Sequence, residues 1–77
     1  MSATYNLKNT QDYQDFYDLV VSSIKEDNEF VDGFPVDDCG EEITTDYLWE
    51  EFGHMLDGKQ SGLGQQVFDE VIESFRN

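Results

Sequence analysis

Basic side chains are scarce in this sequence: Lys and Arg together number 4, against 18 Asp and Glu in 77 residues. Contact with DNA, RNA or an anionic membrane draws on surplus Lys and Arg, so direct binding to any of these is strongly disfavoured. One cysteine, Cys39, cannot form an internal disulfide or supply a cysteine zinc cluster. No apolar run approaches the ~20 residues that span a bilayer, and no basic-then-apolar signal opens the chain. A soluble protein of the cytoplasm is the expectation. The length suits one small domain, residues 1–77, which would bury only about 60% of its unfolded surface.

Acid and aromatic residues are plentiful. The formal net charge is −14, to be held within an expected radius of gyration of roughly 11–12 Å. That radius is comparable with the Debye length of about 8 Å at physiological salt, so self-repulsion must cost stability. Solubility alone asks for a smaller surplus. Strong charge with little hydrophobicity would mark a disordered chain. Here, however, six Phe, four Tyr and one Trp recur with Val, Ile and Leu at regular spacing, as in a folded domain.

The first helix is expected from about Thr10 to about Asp27, capped by Asn9 or Thr10, with Gln11 and Asp12 in its first turn. Tyr13, Phe16, Tyr17, Val20 and Ile24 form its apolar stripe. Asp12, Asp15, Asp18 and Glu26 fall opposite, and Leu19 lies on that acidic side, exposed or covered by a partner. Before this helix, Tyr5 and Leu7 suggest an extended arm or a short edge strand. From Glu29 to Thr44 the helical period breaks: Asp32-Gly33 and Cys39-Gly40 are turn pairs, and Pro35 restricts Phe34. Phe30, Val31, Phe34 and Val36 anchor an ordered acidic loop or a short strand pair.

A second helix is expected from Thr44 or Thr45 to Asp57, with Gly58 as its left-handed cap. Leu48, Trp49, Phe52, Met55 and Leu56 share one face; Asp46, Glu50, Glu51 and Asp57 face away, and Gly53 sits mid-helix. The third helix follows Ser61, a candidate cap, and runs almost to Asn77. Leu63, Val67, Phe68, Val71, Ile72 and Phe75 form its apolar face, with Asp69, Glu70 and Glu73 outside. The fold class is mainly α, a small three-helix bundle with an ordered acidic loop between helices 1 and 2.

Catalytic templates fail at named positions. An EF-hand loop with Gly33 at position six puts Asn28 first and Cys39 twelfth, and one with Gly40 at six puts Pro35 first. The only histidine, His54, reads as a solvated surface residue. Cys39 is flanked by Asp37, Asp38, Glu41 and Glu42, and neighbouring carboxylates blunt a thiol's nucleophilicity. Gly58, Gly62 and Gly64 flank Lys59 without the order of a phosphate-binding loop. No catalytic, cofactor or metal site is expected, and the protein reads as a binder. Acyl carrier proteins are similar in size, charge and helical content. Their Asp-Ser-Leu motif has no counterpart, since the nearest stretch is Asp37-Asp38-Cys39-Gly40.

The surviving signal is placement. Asp12, Asp15, Asp18, Glu26, Asp46, Glu50, Glu51, Asp69, Glu70 and Glu73 lie on outward helical faces, and Asp37, Asp38, Glu41 and Glu42 crowd the central loop. Carboxylates three or four positions apart on a helix are about 5–6 Å apart. That is close to the phosphate spacing along one DNA strand, whose axial rise is about 3.4 Å. Arg pairs with carboxylate as readily as with phosphate. On these residues the chain resembles the small acidic inhibitors of bacteriophages: anti-restriction proteins that imitate DNA and acidic anti-CRISPR proteins. The resemblance implies a partner with a basic nucleic-acid-binding groove in the bacterial host cytoplasm, and a homodimer would lengthen the charged surface.

Two other classes of binder are open. Bacteriocin immunity proteins are also short, acidic and helical, and Asp12-Tyr13-Gln14-Asp15-Phe16 with Leu19-Val20 and Ile24 is similar to their first helix. Their tyrosine-pair recognition segment is missing. An adaptor would instead dock through Leu19, Phe30, Phe34 and Tyr47, although core or rim packing is the favoured place for Phe34 and Tyr47.

Overall fold

The computed structural model describes residues 5–56 and 61–76. The protein is mainly helical, with one antiparallel hairpin. Helix α1 spans Thr10–Asp27, strands β1 and β2 span Glu29–Val31 and Phe34–Val36, helix α2 spans Thr45–Phe52, and helix α3 spans Ser61–Arg76. A single 3-10 turn, Gly53–Met55, extends α2.

Capping chemistry sets the start of α1. The Asn9 side chain accepts hydrogen bonds from the backbone N–H groups of Gln11 and Asp12, so Asn9 rather than Thr10 is the cap. At the other end, Asn28 leaves the helix in extended geometry. Its Nδ2 donates to the Val36 carbonyl at 3.0 Å and to the Tyr47 hydroxyl at 3.1 Å, tying the end of α1 to β2 and α2.

The segment after Asn28 is a hairpin in the register Glu29–Val36, Phe30–Pro35, Val31–Phe34. Asp32 and Gly33 both have positive φ, 54° and 83°, which is the primed two-residue turn that Asp-Gly favours. A second turn follows. The Asp37 carboxylate accepts from the N–H groups of Cys39 and Glu41, Gly40 takes φ 83°, and Ile43 N–H donates to the Pro35 carbonyl. The central segment is therefore built from two hydrogen-bonded turns.

Thr44 caps α2 by accepting from Tyr47 N–H. The helix stops at Phe52 and not at Asp57, and Gly53 is its C-cap rather than a mid-helix residue. The cause is a long-range pairing: Tyr5 N–H donates to the Met55 carbonyl at 2.9 Å, and Tyr5 bridges Leu56 in parallel. The expected outward placing of Asp57 and the Gly58 cap lie outside the described residues; α3 begins at Ser61 itself rather than after it, and ends at Arg76, almost at Asn77 as expected.

The core joins the three helices and β2: Phe16, Val20 and Ile24 of α1, Leu48 of α2, and Val67, Phe68 and Val71 of α3, with Leu7, Phe34, Val36 and Ile43 from outside the helices. Phe68 receives the Phe16 ring on one side and the Trp49 indole edge-on on another, at 5.8 and 4.9 Å. Of the five residues expected on the apolar face of α2, only Leu48 is fully buried; Trp49, Phe52, Met55 and Leu56 are half-buried. Trp49 lies against glycine. A Cβ on Gly64 would come within 2.5 Å of the Trp49 ring and 2.7 Å of Leu56 Cδ1. The radius of gyration is 12.2 Å.

Candidate functional site: the carboxylate surface

The candidate acids fall into groups according to what holds them. Two serve the fold: Asp12 accepts from Asn6 N–H at 3.2 Å, and half-buried Asp37 organises the turn after β2. Four are held on helix surfaces by a glutamine one turn earlier. Gln11 donates to Asp15 at 2.8 Å, Gln14 to Asp18 at 3.0 Å and Gln65 to Asp69 at 2.9 Å. Gln66 approaches Glu70 at 3.5 Å, at the weak end of hydrogen bonding. An amide fixes a carboxylate's rotamer and leaves its charge intact, whereas Lys or Arg at the same spacing would cancel it.

Glu26, Asp38, Glu41, Asp46, Glu50, Glu51 and Glu73 are exposed. Among the described residues one ion pair forms, Arg76 to Glu42 at 3.7 Å with both side chains more than half exposed, so the negative charge is left almost wholly uncompensated.

Helix α3 packs against both α1 and α2. Tyr13 of α1 donates its hydroxyl to Glu70 at 2.9 Å. Burial, together with the adjacent Glu70 carboxylate, pushes the Tyr13 phenol up to about 12. On the other flank Trp49 Nε1 donates to Gln65 at 3.0 Å, and Gln65 in turn holds Asp69. Glu70 is thus fixed from α1 and Asp69, through Gln65, from α2. No hydrogen bond or ion pair among the described residues joins the α1 row to Asp46, Glu50 or Glu51 of α2.

Asp37 and Asp38 come together with two acids that sequence inspection passed over, Asp27 and Glu29. With Val31, Val36, Asn28 and Gly40 these line a cleft of about 220 Å³. The turn pair Asp32-Gly33 predicts their convergence, since a tight hairpin returns Val36–Asp38 to the end of α1. The glutamines were equally legible as Gln followed four residues later by an acid.

Of the anchor candidates, Phe34 and Tyr47 take the core and rim places that fit them better, and Leu19 is corrected. Phe34 is buried in the core, where Arg76 stacks over its ring at 4.7 Å. Tyr47 is half-buried with its hydroxyl bonded to Asn28, and Leu19 packs against the core rather than standing clear. Phe30 alone of the four is open, 40% exposed. His54 and Cys39 are exposed. Among the described residues no three of His, Cys, Asp and Glu are grouped to hold a metal ion, and no helix is long and apolar enough to cross a membrane. Comparison with protein-family models, with curated proteins and with solved structures finds no match.

Proposed function

We propose that the protein is an acidic inhibitor that occupies the basic groove of a nucleic-acid-binding bacterial complex of the restriction or CRISPR type, imitating the charge of DNA. The observation that carries this reading is the lack of internal neutralisation: 18 acids face 4 bases, one exposed ion pair forms among the described residues, and helix-surface acids are held by neutral glutamine amides. Such an arrangement keeps carboxylates ordered and charged, the two properties a groove lined with Lys and Arg selects. In this reading a small helical bundle acts in the host cytoplasm, with many acids each making a modest contact.

The test is inhibition of DNA cleavage by a purified restriction endonuclease and by a guide-loaded CRISPR nuclease, measured across a salt series. The expected result is inhibition that competes with duplex DNA and weakens steeply as ionic strength rises. Reversing Asp15, Asp18 and Glu26 together to Lys should weaken it far more than any one reversal. Inhibition unchanged by that triple variant removes α1 from the surface, and an absence of competition with DNA overturns the groove reading.

A further inference from the structure

Among the described residues, the large apolar side chains that stand exposed are Phe30 at 40% and Val31 at 54%. Single exposed hydrophobics are ordinary, but these two are neighbours on one strand, and all three residues of β1 are exposed. The hairpin register explains why that strand also has bonding capacity. Val31 and Phe34 flank the two-residue turn and form a hydrogen-bonded pair, so Phe30 and Pro35 form the alternate, non-bonded pair. The N–H and C=O of Phe30 therefore point away from β2. The far side of β2 is already occupied, since the Pro35 carbonyl accepts from Ile43 and Asp37 N–H donates to Glu41. Phe30 is also held in place, packed edge-on against Phe75 with centroids 5.7 Å apart.

Charge complementarity selects the occupant. Beside β1 lies the cleft of Asp27, Glu29, Asp37 and Asp38, with Val31 and Val36 among its lining residues. It sits at the C-terminal end of α1, where the helix dipole adds further negative potential. The cations on the neighbouring elements are Lys25, in the last turn of α1, and Arg76 of α3, which stacks over Phe34 and pairs with Glu42. Nucleic acid and anionic membrane are repelled, and a second copy would bring its own charge of −14. Lys and Arg combine an aliphatic stem with a cationic head, which suits apolar walls under an acidic rim.

We propose that the open edge of β1 docks an extended segment of a basic protein partner. Main-chain bonds form to Phe30, an apolar side chain covers Phe30 on one face, and on the other face Lys or Arg lays its stem over Val31 and enters the cleft, as in strand addition to a sheet edge. The inference rests on the partner being a basic protein, as proposed above, and adds the apolar, directional anchor that charge alone does not supply.

The experiment titrates the full ¹⁵N-labelled chain with a short synthetic peptide alternating Arg and Val, and with the same peptide N-methylated at each Val so that the Val amides, those set opposite Phe30, cannot donate. The expected result is amide shifts centred on residues 27–38, with binding about fivefold or more weaker for the N-methylated peptide. Phe30→Thr with Val31→Thr should weaken the parent peptide similarly, while Asp15→Lys with Asp18→Lys changes it less than about twofold.

The N-methylated comparison needs no variant, so it stands if the double variant folds poorly. Shifts spread along the α1 and α3 acids, or equal binding of the two peptides, overturn the inference. So does a salt-induced dimer abolished by Phe30→Thr, which assigns the edge to a second copy. Peptide binding without inhibition of DNA cleavage leaves the edge standing and sinks only the groove reading; inhibition without edge binding does the reverse.

Discussion

At the scale of single residues, Tyr13 and Glu70 show how much charge this fold tolerates in contact with its core. Burial is the first cause of the raised Tyr13 phenol, and the hydrogen bond and charge of Glu70 add to it, bringing it to about 12 from 10.0. A phenol that titrates higher when folded holds its proton after the unfolded chain has lost one. The stability it contributes is therefore complete below about pH 10 and is lost as pH rises from there through about 12. Glu70→Gln should bring the Tyr13 titration part of the way down, because burial, the larger cause, remains. Phenolate absorbance or NMR of the Tyr13 ring measures this, and an unchanged titration would mean that the Glu70 contact does not hold in solution.

At the scale of elements, two glycines separate strain from space. Gly33 takes φ 83° in the hairpin turn, and a Cβ added there would meet nothing within 4 Å, whereas a Cβ on Gly64 would strike the Trp49 ring and Leu56. Gly33→Ala should cost about 1–2 kcal/mol through the left-handed conformation alone, and Gly33→Asn should recover part of it because Asn tolerates positive φ. Gly64→Ala gains about 0.5–1 kcal/mol in helix propensity but overpacks at about 1–3 kcal/mol. The indole cannot easily yield, being tethered to Gln65 and packed on Phe68. Net destabilisation by about 1–2 kcal/mol is expected, with no rescue by Asn. Urea unfolding followed by Trp49 fluorescence checks both series, and equal rescue by Asn at the two positions would contradict the distinction.

The elements also show what one-dimensional patterning conveys. Helix α1 was legible end to end because its cap and stripe are local: Asn9 bonds two and three residues ahead, and Phe16, Val20 and Ile24 repeat every four. The end of α2 was not. Apolar spacing continues past Phe52 through Met55 and Leu56, but the backbone of Met55 is claimed by Tyr5, some fifty positions away. Ile43 was missed for the same reason. It lies between Glu42 and Thr44 with no periodic companion, and it is buried because it pairs with Pro35.

At the scale of the whole molecule, a charge of −14 within a radius of gyration of 12.2 Å makes stability depend on screening. Raising NaCl from about 0.01 to 0.3 M shortens the Debye length from about 30 Å to well below 10 Å. The melting temperature should climb by several degrees, since ~1 kcal/mol moves a domain of this size by about 4–8 °C. Differential scanning calorimetry reads the effect, and a flat or falling response would mean that the acids are already neutralised.

The sequence by itself determined the helices, the turn pair of the hairpin and the sign of the field. Capping, the 3.6-residue period, positive-φ glycine and net charge are local or additive properties that need no knowledge of distant neighbours. Only the tertiary structure decided where α2 stops, that Phe34 goes inward while Phe30 stays open, and that Asp27 and Glu29 join Asp37 and Asp38 around one cleft. Those outcomes depend on which distant backbone claims a hydrogen bond and which side of a hairpin meets the core, and residue order does not encode either one residue at a time.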